Sequence, residues 1–365
     1  MKNIFFSVVM LLTIFVLSCK EEKYPLNALS PNSTSDSDRV KIGDTVYIAQ
    51  NPDWTGFNHP QAVIVGNEPL VYVADTDSNR IVMLDLGGHV IGYSKYIKRP
   101  IGLAQDKQLK LIVCAEFDTL LPGHSAPTTY GAVYKIDLYA AGHDIANAEV
   151  RRVYYEPSDT VRRFTAVATF YNNLYGVTRV GPKNDVGRID KDIAVMQFSS
   201  DDKFLTTIPD LTPEGTGIKS LHNLTGIATM PTGKSVEFVI CQTGEKAQYK
   251  VQWIRLITAG QTTNWESKFD PADNPDLEIL RLNHFTNPEG VALDPSGNLY
   301  VVDAGKDSLF RFTTKGEEKY SFGGTGTGQG KLNKPHGVAI FDRVLYIADT
   351  GNNRIVRFKL STDLQ

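Results

Sequence analysis

Asn287 to Phe312, NPEGVALDPSGNLYVVDAGKDSLFRF, and Lys334 to Phe358, KPHGVAIFDRVLYIADTGNNRIVRF, are two copies of one pattern. Each opens on Pro-x-Gly, continues with a short Val-Ala-Leu/Ile run, turns, and enters a Leu-Tyr-Val/Ile run that ends in Asp. A polar turn then leads to an alternating run such as Ile355-Val356-Arg357-Phe358. Short β-branched and aromatic runs separated by Gly, Pro, Asn and Asp are strands joined by tight turns. Three strands are visible per copy, and Lys319 to Phe322 supplies a fourth in the first. Self-similarity at a spacing of about 40–50 residues identifies a repeat architecture, and radially repeated four-stranded units make a β-propeller.

The pattern recurs upstream with decreasing fidelity. It starts at His59-Pro60-Gln61-Ala62, Arg99-Pro100-Ile101-Gly102, Phe164-Thr165-Ala166 and Leu224-Thr225-Gly226, and each start is followed by two further strand-like runs. The expected fold is all-β, a six-bladed propeller with four-stranded blades over residues 39–365. The last blade exhausts its own sequence near Leu360, so its fourth strand is expected from Val40 to Ala49, closing the ring and protecting its edges.

These units resemble NHL repeats, above all in the Gly-rich lead-in Phe322 to Gly330 followed by Leu332, Pro335 and Gly337. The resemblance is strong in blades 1, 5 and 6. It implies a six-bladed ring whose function resides in the loops and the channel mouth.

The N-terminus carries another signal. Met1-Lys2-Asn3, the apolar Ile4 to Val16 and Leu17-Ser18-Cys19 form a secretory leader over residues 1–18. Cys19 at the cleavage point resembles a bacterial lipobox, which implies lipidation of that cysteine. Lys20-Glu21-Glu22 resembles the export signal of Bacteroidetes lipoproteins. Residues 19–38, rich in Ser, Asn, Pro and Asp, read as a flexible tether. The expected location is the outer membrane, lipid-anchored and facing the cell exterior, with a periplasm-facing anchor as the alternative. The partners expected are the membrane through the anchor and a glycan, peptide or outer-membrane protein. With a net charge of −3 and no basic tract, nucleic acid is not among them.

Site residues follow from blade register. The x of Pro-x-Gly sits at the channel mouth, giving a ring of Gln61, Ile101, Thr165, Thr225, Glu289 and His336. Peptidyl-hydroxyglycine lyases resemble NHL propellers and bind zinc through channel-mouth histidines, but only His336 matches here, short of the three ligands a catalytic zinc needs. Gluconolactonase-like propellers hold a divalent cation with acidic and amide side chains, which Glu289, Asp303, Asp349 and Asp75 resemble. Asp75 and Asp349, each four residues before Asn and five before Arg, fit better as carboxylates that accept turn hydrogen bonds and pair with the Arg. Glu289 and His336 stay as metal candidates, and no cofactor is expected beyond a divalent cation there.

Long segments after the second strands of blades 2 and 3, Phe117 to Tyr130 and Arg179 to Asp192, and the stretch Ile257 to Phe285 after blade 4 gather on the same face. Loops on a rigid scaffold are where binding resides, so Tyr130, Arg179, Arg188 and Trp265 join Gln61, Thr225, Glu289 and His336 as ligand-binding candidates. No nucleophile elbow surrounds Ser125, and Gly323 to Gly330 leads into a strand rather than a phosphate-binding helix. The expected function is a surface binding module, with a metal-assisted lyase or lactonase at the channel mouth as the alternative.

Overall fold

The computed structural model describes residues 47–230 and 235–361. It contains six four-stranded antiparallel sheets. Blade 1 is Pro60–Val65, Leu70–Asp75, Arg80–Asp85 and Val90–Tyr93. Blade 2 is Lys98–Gln105, Lys110–Thr119, Thr128–Asp137 and Val150–Tyr155, and blade 3 is Arg163–Thr169, Tyr175–Val180, Ala194–Phe198 and Phe204–Thr207. Blade 4 is Asn223–Thr229, Glu237–Thr243, Val251–Ala259 and Thr262–Ser267, and blade 5 is Pro288–Leu293, Leu299–Asp303, Ser308–Phe312 and Glu318–Gly323. Blade 6 joins Val338–Phe341, Val344–Asp349 and Arg354–Leu360 to the N-terminal strand Tyr47–Trp54. A two-residue parallel pair, Thr212–Pro213 with Ser220–Leu221, precedes blade 4.

The first strand of each blade touches the first strands of both neighbours, which closes the ring. The described closing strand shares residues 47–49 with the expected Val40 to Ala49 and continues to Trp54: Tyr47 pairs with Leu360 and Trp54 with Ile355. Residues 40–46 lie outside the described residues, as do the leader, Cys19 and the tether.

The core is split among the blade interfaces. Val63, Val71 and Val73 of blade 1 pack with Ala339, Tyr346 and Ala348 of blade 6. The other face of blade 1, with Tyr72 and Met83, packs on Leu103, Leu111 and Val113 of blade 2. This is the alternation that a strand with both faces covered requires. Cys114 and Cys241 are buried in blades 2 and 4 as free thiols, and Cys241 Sγ lies 3.4 Å from the Thr225 hydroxyl.

The repeated Asp has an architectural role in three blades. Asp75, Asp303 and Asp349 are fully buried. Asp75 accepts from the backbone N–H of Asn58 at 2.6 Å and from Arg80 Nε at 2.9 Å. Asp349 accepts from Asn333 N–H and Arg354 Nε, both at 2.7 Å. Asp303 accepts from the N–H groups of Thr286, Asn287, Gly305 and Lys306. The following Asn79 and Asn353 adopt left-handed backbone conformation, φ 57° and 55°, which Asn tolerates better than most residues. Their side-chain oxygens accept the backbone N–H of Arg99 and His59 at the start of the next blade. Each motif thus ties its own lead-in and then the next blade's.

The glycine of Pro-x-Gly sets how closely inner strands approach. A Cβ at Gly290 would lie 2.1 Å from the carbonyl oxygen of His336, and one at Gly337 would lie 2.8 Å from that of Gln61. Gly290→Ala is expected to cost about 1–3 kcal/mol, because backbone on both sides must move. Urea unfolding of this variant against wild type measures it.

Candidate functional site

Two sites lie on the mouth face. The first is axial. Gln61, Thr165, Thr225 and Glu289 each fall where the inner strand shifts register against the second strand, between Pro60 and Ala62, Phe164 and Ala166, Leu224 and Gly226, and Pro288 and Gly290. A β-bulge re-aims a side chain, and here it does so at equivalent places around the ring. All six ring residues are partly exposed. Thr165 is occupied by Thr178, their hydroxyls 2.7 Å apart, and Thr225 donates to the Pro288 carbonyl at 2.8 Å.

Glu289 and His336 come together as register predicts, with Oε2 and Nδ1 3.9 Å apart and side chains 21% and 28% exposed. Burial pushes the Glu289 carboxyl up to about 7, with the charge of Asp303 adding to it. Burial also holds His336 down at about 4, reinforced by His59 and Lys334. These shifts have the sign of desolvation, which disfavours both charged forms. Between about pH 4 and pH 7 the pair is therefore a protonated acid beside a neutral imidazole, not an ion pair. Among the described residues no group of three or more His, Cys, Asp and Glu side chains gathers closely enough to hold a metal ion.

The second site is a cleft of about 410 Å³ between the outer strands of blades 2 and 3, whose walls include Tyr154, Tyr155, Phe204 and Asp190. Its floor is an ionic network. Arg162, only 6% exposed, reaches Asp192 with Nε at 2.8 Å, Glu156 with Nη1 at 2.9 Å and Asp190 with Nη2 at 2.7 Å. Arg179 donates to Glu156 at 2.5 Å, to Asp190, and to the backbone carbonyls of Lys191 and Asp192. Lys183 Nζ bonds Asp159 at 3.0 Å. Burial acts to raise the Asp190 carboxyl, but the arginine pairs outweigh it and hold it below the usual carboxylate range. The network pins the base of the loop 181–192, and that loop presents Val186 and Ile189 fully to solvent.

The loop candidates divide. Arg188 lies on this exposed loop, its Nε bonded to the Asp190 carbonyl at 2.8 Å. Arg179 lines the cleft but is buried, occupying in blade 3 the strand position that Asp75 and Asp303 hold in blades 1 and 5. Tyr130 is not a loop contact: the two ends of the expected loop of blade 2, residues 117–119 and 128–130, extend the strands Lys110–Thr119 and Thr128–Asp137, and Tyr130 is buried there against Phe117. Trp265 is the fourth strand of blade 4, buried against Phe238. Both were misplaced because an outer strand or hairpin arm with mixed residues reads like a polar insertion. Tyr155, Phe204 and Arg162 were missed altogether, since each belongs to a blade edge or linker with no repeat signature.

Residues 332–358 match the NHL repeat family model. No curated protein sequence matches the chain. Among solved structures, a luciferin-regenerating enzyme is similar at 12% identity and a TM-score of 0.55, covering 87% of this chain and 95% of its own. A gluconolactonase from Xanthomonas campestris is similar at 13% and 0.54, covering 87% and 90%. Regucalcin from Agrobacterium tumefaciens, a calcium-binding protein, is similar at 12% and 0.54, covering 84% and 91%. At such identities the likeness is one of fold. The chain is a six-bladed β-propeller whose sixth blade is built on an NHL repeat.

Proposed function

We propose that this protein is a lipid-anchored binding module that takes a glycan, a peptide or an outer-membrane partner protein on its mouth face. The observation that carries this reading is the cleft between blades 2 and 3, where a rigid ionic floor supports open aromatic walls and an exposed loop. Concave sites with apolar walls and a few fixed polar groups are where ligands bind.

The first described strand, Tyr47–Trp54, enters blade 6 from the end opposite the mouth. Asp349 pairs with Arg354 at the mouth end of blade 6, whereas Tyr47 pairs with Leu360 at the opposite end. We place the anchored protein at the outer membrane, exposed to the cell exterior.

The axial pair supports a second reading, a metal-assisted lyase or lactonase. A carboxyl near pH 7 beside an imidazole is suited to proton transfer, although the pair alone supplies at most two ligands to a cation.

One measurement separates the sites. In a thermal-shift screen of glycans and peptides, a ligand raises the melting midpoint according to its affinity. We expect the shift to vanish in Phe204→Ala and to persist in Glu289→Ala and His336→Ala. The opposite pattern, or stoichiometric metal lost on Glu289→Ala, would sink the cleft reading.

A further inference from the structure

We propose that Arg152, on the outer strand of blade 2, binds a carboxylate carried on a flat ring. Strand register sets this residue opposite Tyr134, and Tyr134 packs into the core shared by blades 1 and 2. The site is therefore on the side of blade 2 that faces blade 1. It is separate from the cleft toward blade 3 and does not depend on how that cleft is used.

Charge sets Arg152 apart from the other Lys and Arg side chains on the strands of blade 2. Lys98 pairs with Asp118, Arg99 with Asp77, Lys110 with Asp137, and both Lys135 and Arg151 with Asp202. Arg152 is exposed, and among the described residues no carboxylate pairs with it. Its adjacent neighbour Arg151 spends its charge on blade 3, so one positive charge on this side of the blade is left uncompensated.

Aromatic rings hold this cation in place. The guanidinium carbon lies over the Phe117 ring, 3.7 Å from its centre, and over the Tyr155 ring at 4.8 Å. Those two rings stand at 89° to each other, and Tyr130 braces both, stacked with Phe117 and edge-on to Tyr155. Arg152 thus sits in a right-angled corner. Contact as close as that with Phe117 requires the planar group to lie flat on the ring, because an edge-on approach would drive its nitrogens into the ring carbons. Ring faces attract the charge but leave the in-plane N–H fork for an acceptor.

The fork and the single charge select the anion. A phosphate dianion finds no second cation here, since Lys98 and Arg151 are committed to their own carboxylates. A carboxylate is a planar monoanion and meets a guanidinium in two parallel bonds. Open ring surface lies beside it: Tyr155 is 36% exposed and Tyr96, in the linker before the blade, 71%. Burial pushes the Tyr134 hydroxyl up, Arg152 acts against this and Tyr96 adds to it, which brings Tyr96 to the same spot. A flat ring attached to the carboxylate gains contact with these tyrosines.

The test follows ligand-observed NMR on the full chain at low salt. Benzoate and glucuronate supply the ring carboxylate from an aromatic and a sugar source, benzenesulfonate and phenyl phosphate the other anions, and benzamide the neutral control. We expect one or both carboxylates to bind with a dissociation constant in the millimolar range or tighter, the tighter of the two naming the source, and the other probes to bind about tenfold more weakly or worse. Arg152→Gln should weaken carboxylate binding about tenfold or more, and Arg152→Lys, which keeps the charge and loses the fork, should also weaken it. Unchanged melting midpoints in both variants confirm the fold. Preference for the sulfonate or the phosphate, or full affinity in Arg152→Lys, would overturn the carboxylate assignment. Carboxylate binding that is absent, or that survives Arg152→Gln, would overturn the site.

Discussion

Arg162→Met should destabilise the propeller by about 3–5 kcal/mol, the cost of breaking a buried ion pair by removing one partner. The guanidinium holds three carboxylates at hydrogen-bonding distance, and one of them, Asp192, is fully buried. Without Arg162, Asp192 keeps the Lys183 backbone N–H as a partner but loses its countercharge. Count the network as Arg162, Arg179 and Lys183 against Glu156, Asp159, Asp190 and Asp192: three cations face four anions, and deletion leaves two facing four. Urea unfolding supplies the number. A second variant isolates the cause: Arg162→Met with Asp192→Leu should recover part of the loss, because an apolar replacement removes the stranded charge. A single-variant cost under about 1 kcal/mol would mean that water solvates the network as it does surface pairs. Amide exchange should also quicken between residues 181 and 192, since the same bonds anchor that loop.

Glu289→Gln should stabilise the protein in alkaline solution and leave it nearly unchanged in acid. The carboxyl titrates at about 7 in the fold against an ordinary 4.5. The native state thus favours the protonated form. Its contribution is fully present below pH 4.5 and is lost as pH rises through 7, by up to about 3 kcal/mol. His336 works in the opposite direction: with its folded value at about 4 against 6.5, its contribution is present above pH 6.5 and is lost as pH falls toward 4. In wild type the two slopes oppose each other between pH 4.5 and 6.5. The variant has no carboxyl at this position, so acidification should now lower its stability through that window. Unfolding at pH 5 and pH 8 decides the matter. An equal difference between variant and wild type at both values would show that Glu289 is solvated and unshifted.

How legible the fold was depends on one residue per blade. Blades 1, 5 and 6 keep Asp at the end of the second strand, and the bonds that Asp75, Asp303 and Asp349 make to neighbouring backbone force recognisable spacing on the residues around them. In blade 4 the corresponding Gln242 accepts the His222 N–H at 2.8 Å, and in blade 3 Arg179 turns to the ionic network instead. The lead-in is held by other chemistry there, so the spelling drifts although the strands persist. The axial pair was legible because it rides on the repeat. The cleft was not: its charged residues are scattered from Glu156 to Asp192 and converge only through the packing of two blades. Periodicity reports what every blade shares, and a site made by two particular blades has no period.

Closure of blade 6 by Tyr47–Trp54 also decides how the ring responds to pulling. Tension on the segment before Tyr47 acts first on the Tyr47–Leu360 rung, at the end of an antiparallel ladder. Load applied there opens rungs one after another instead of sharing the force across all of them. Opposing that are the buried apolar contacts of Trp54 with Tyr346 and the bond from Arg354 to Asp53 at 2.8 Å, both at the far end of the strand. A peeling strand meets these last, so the seam begins to open easily and finishes against its strongest latch.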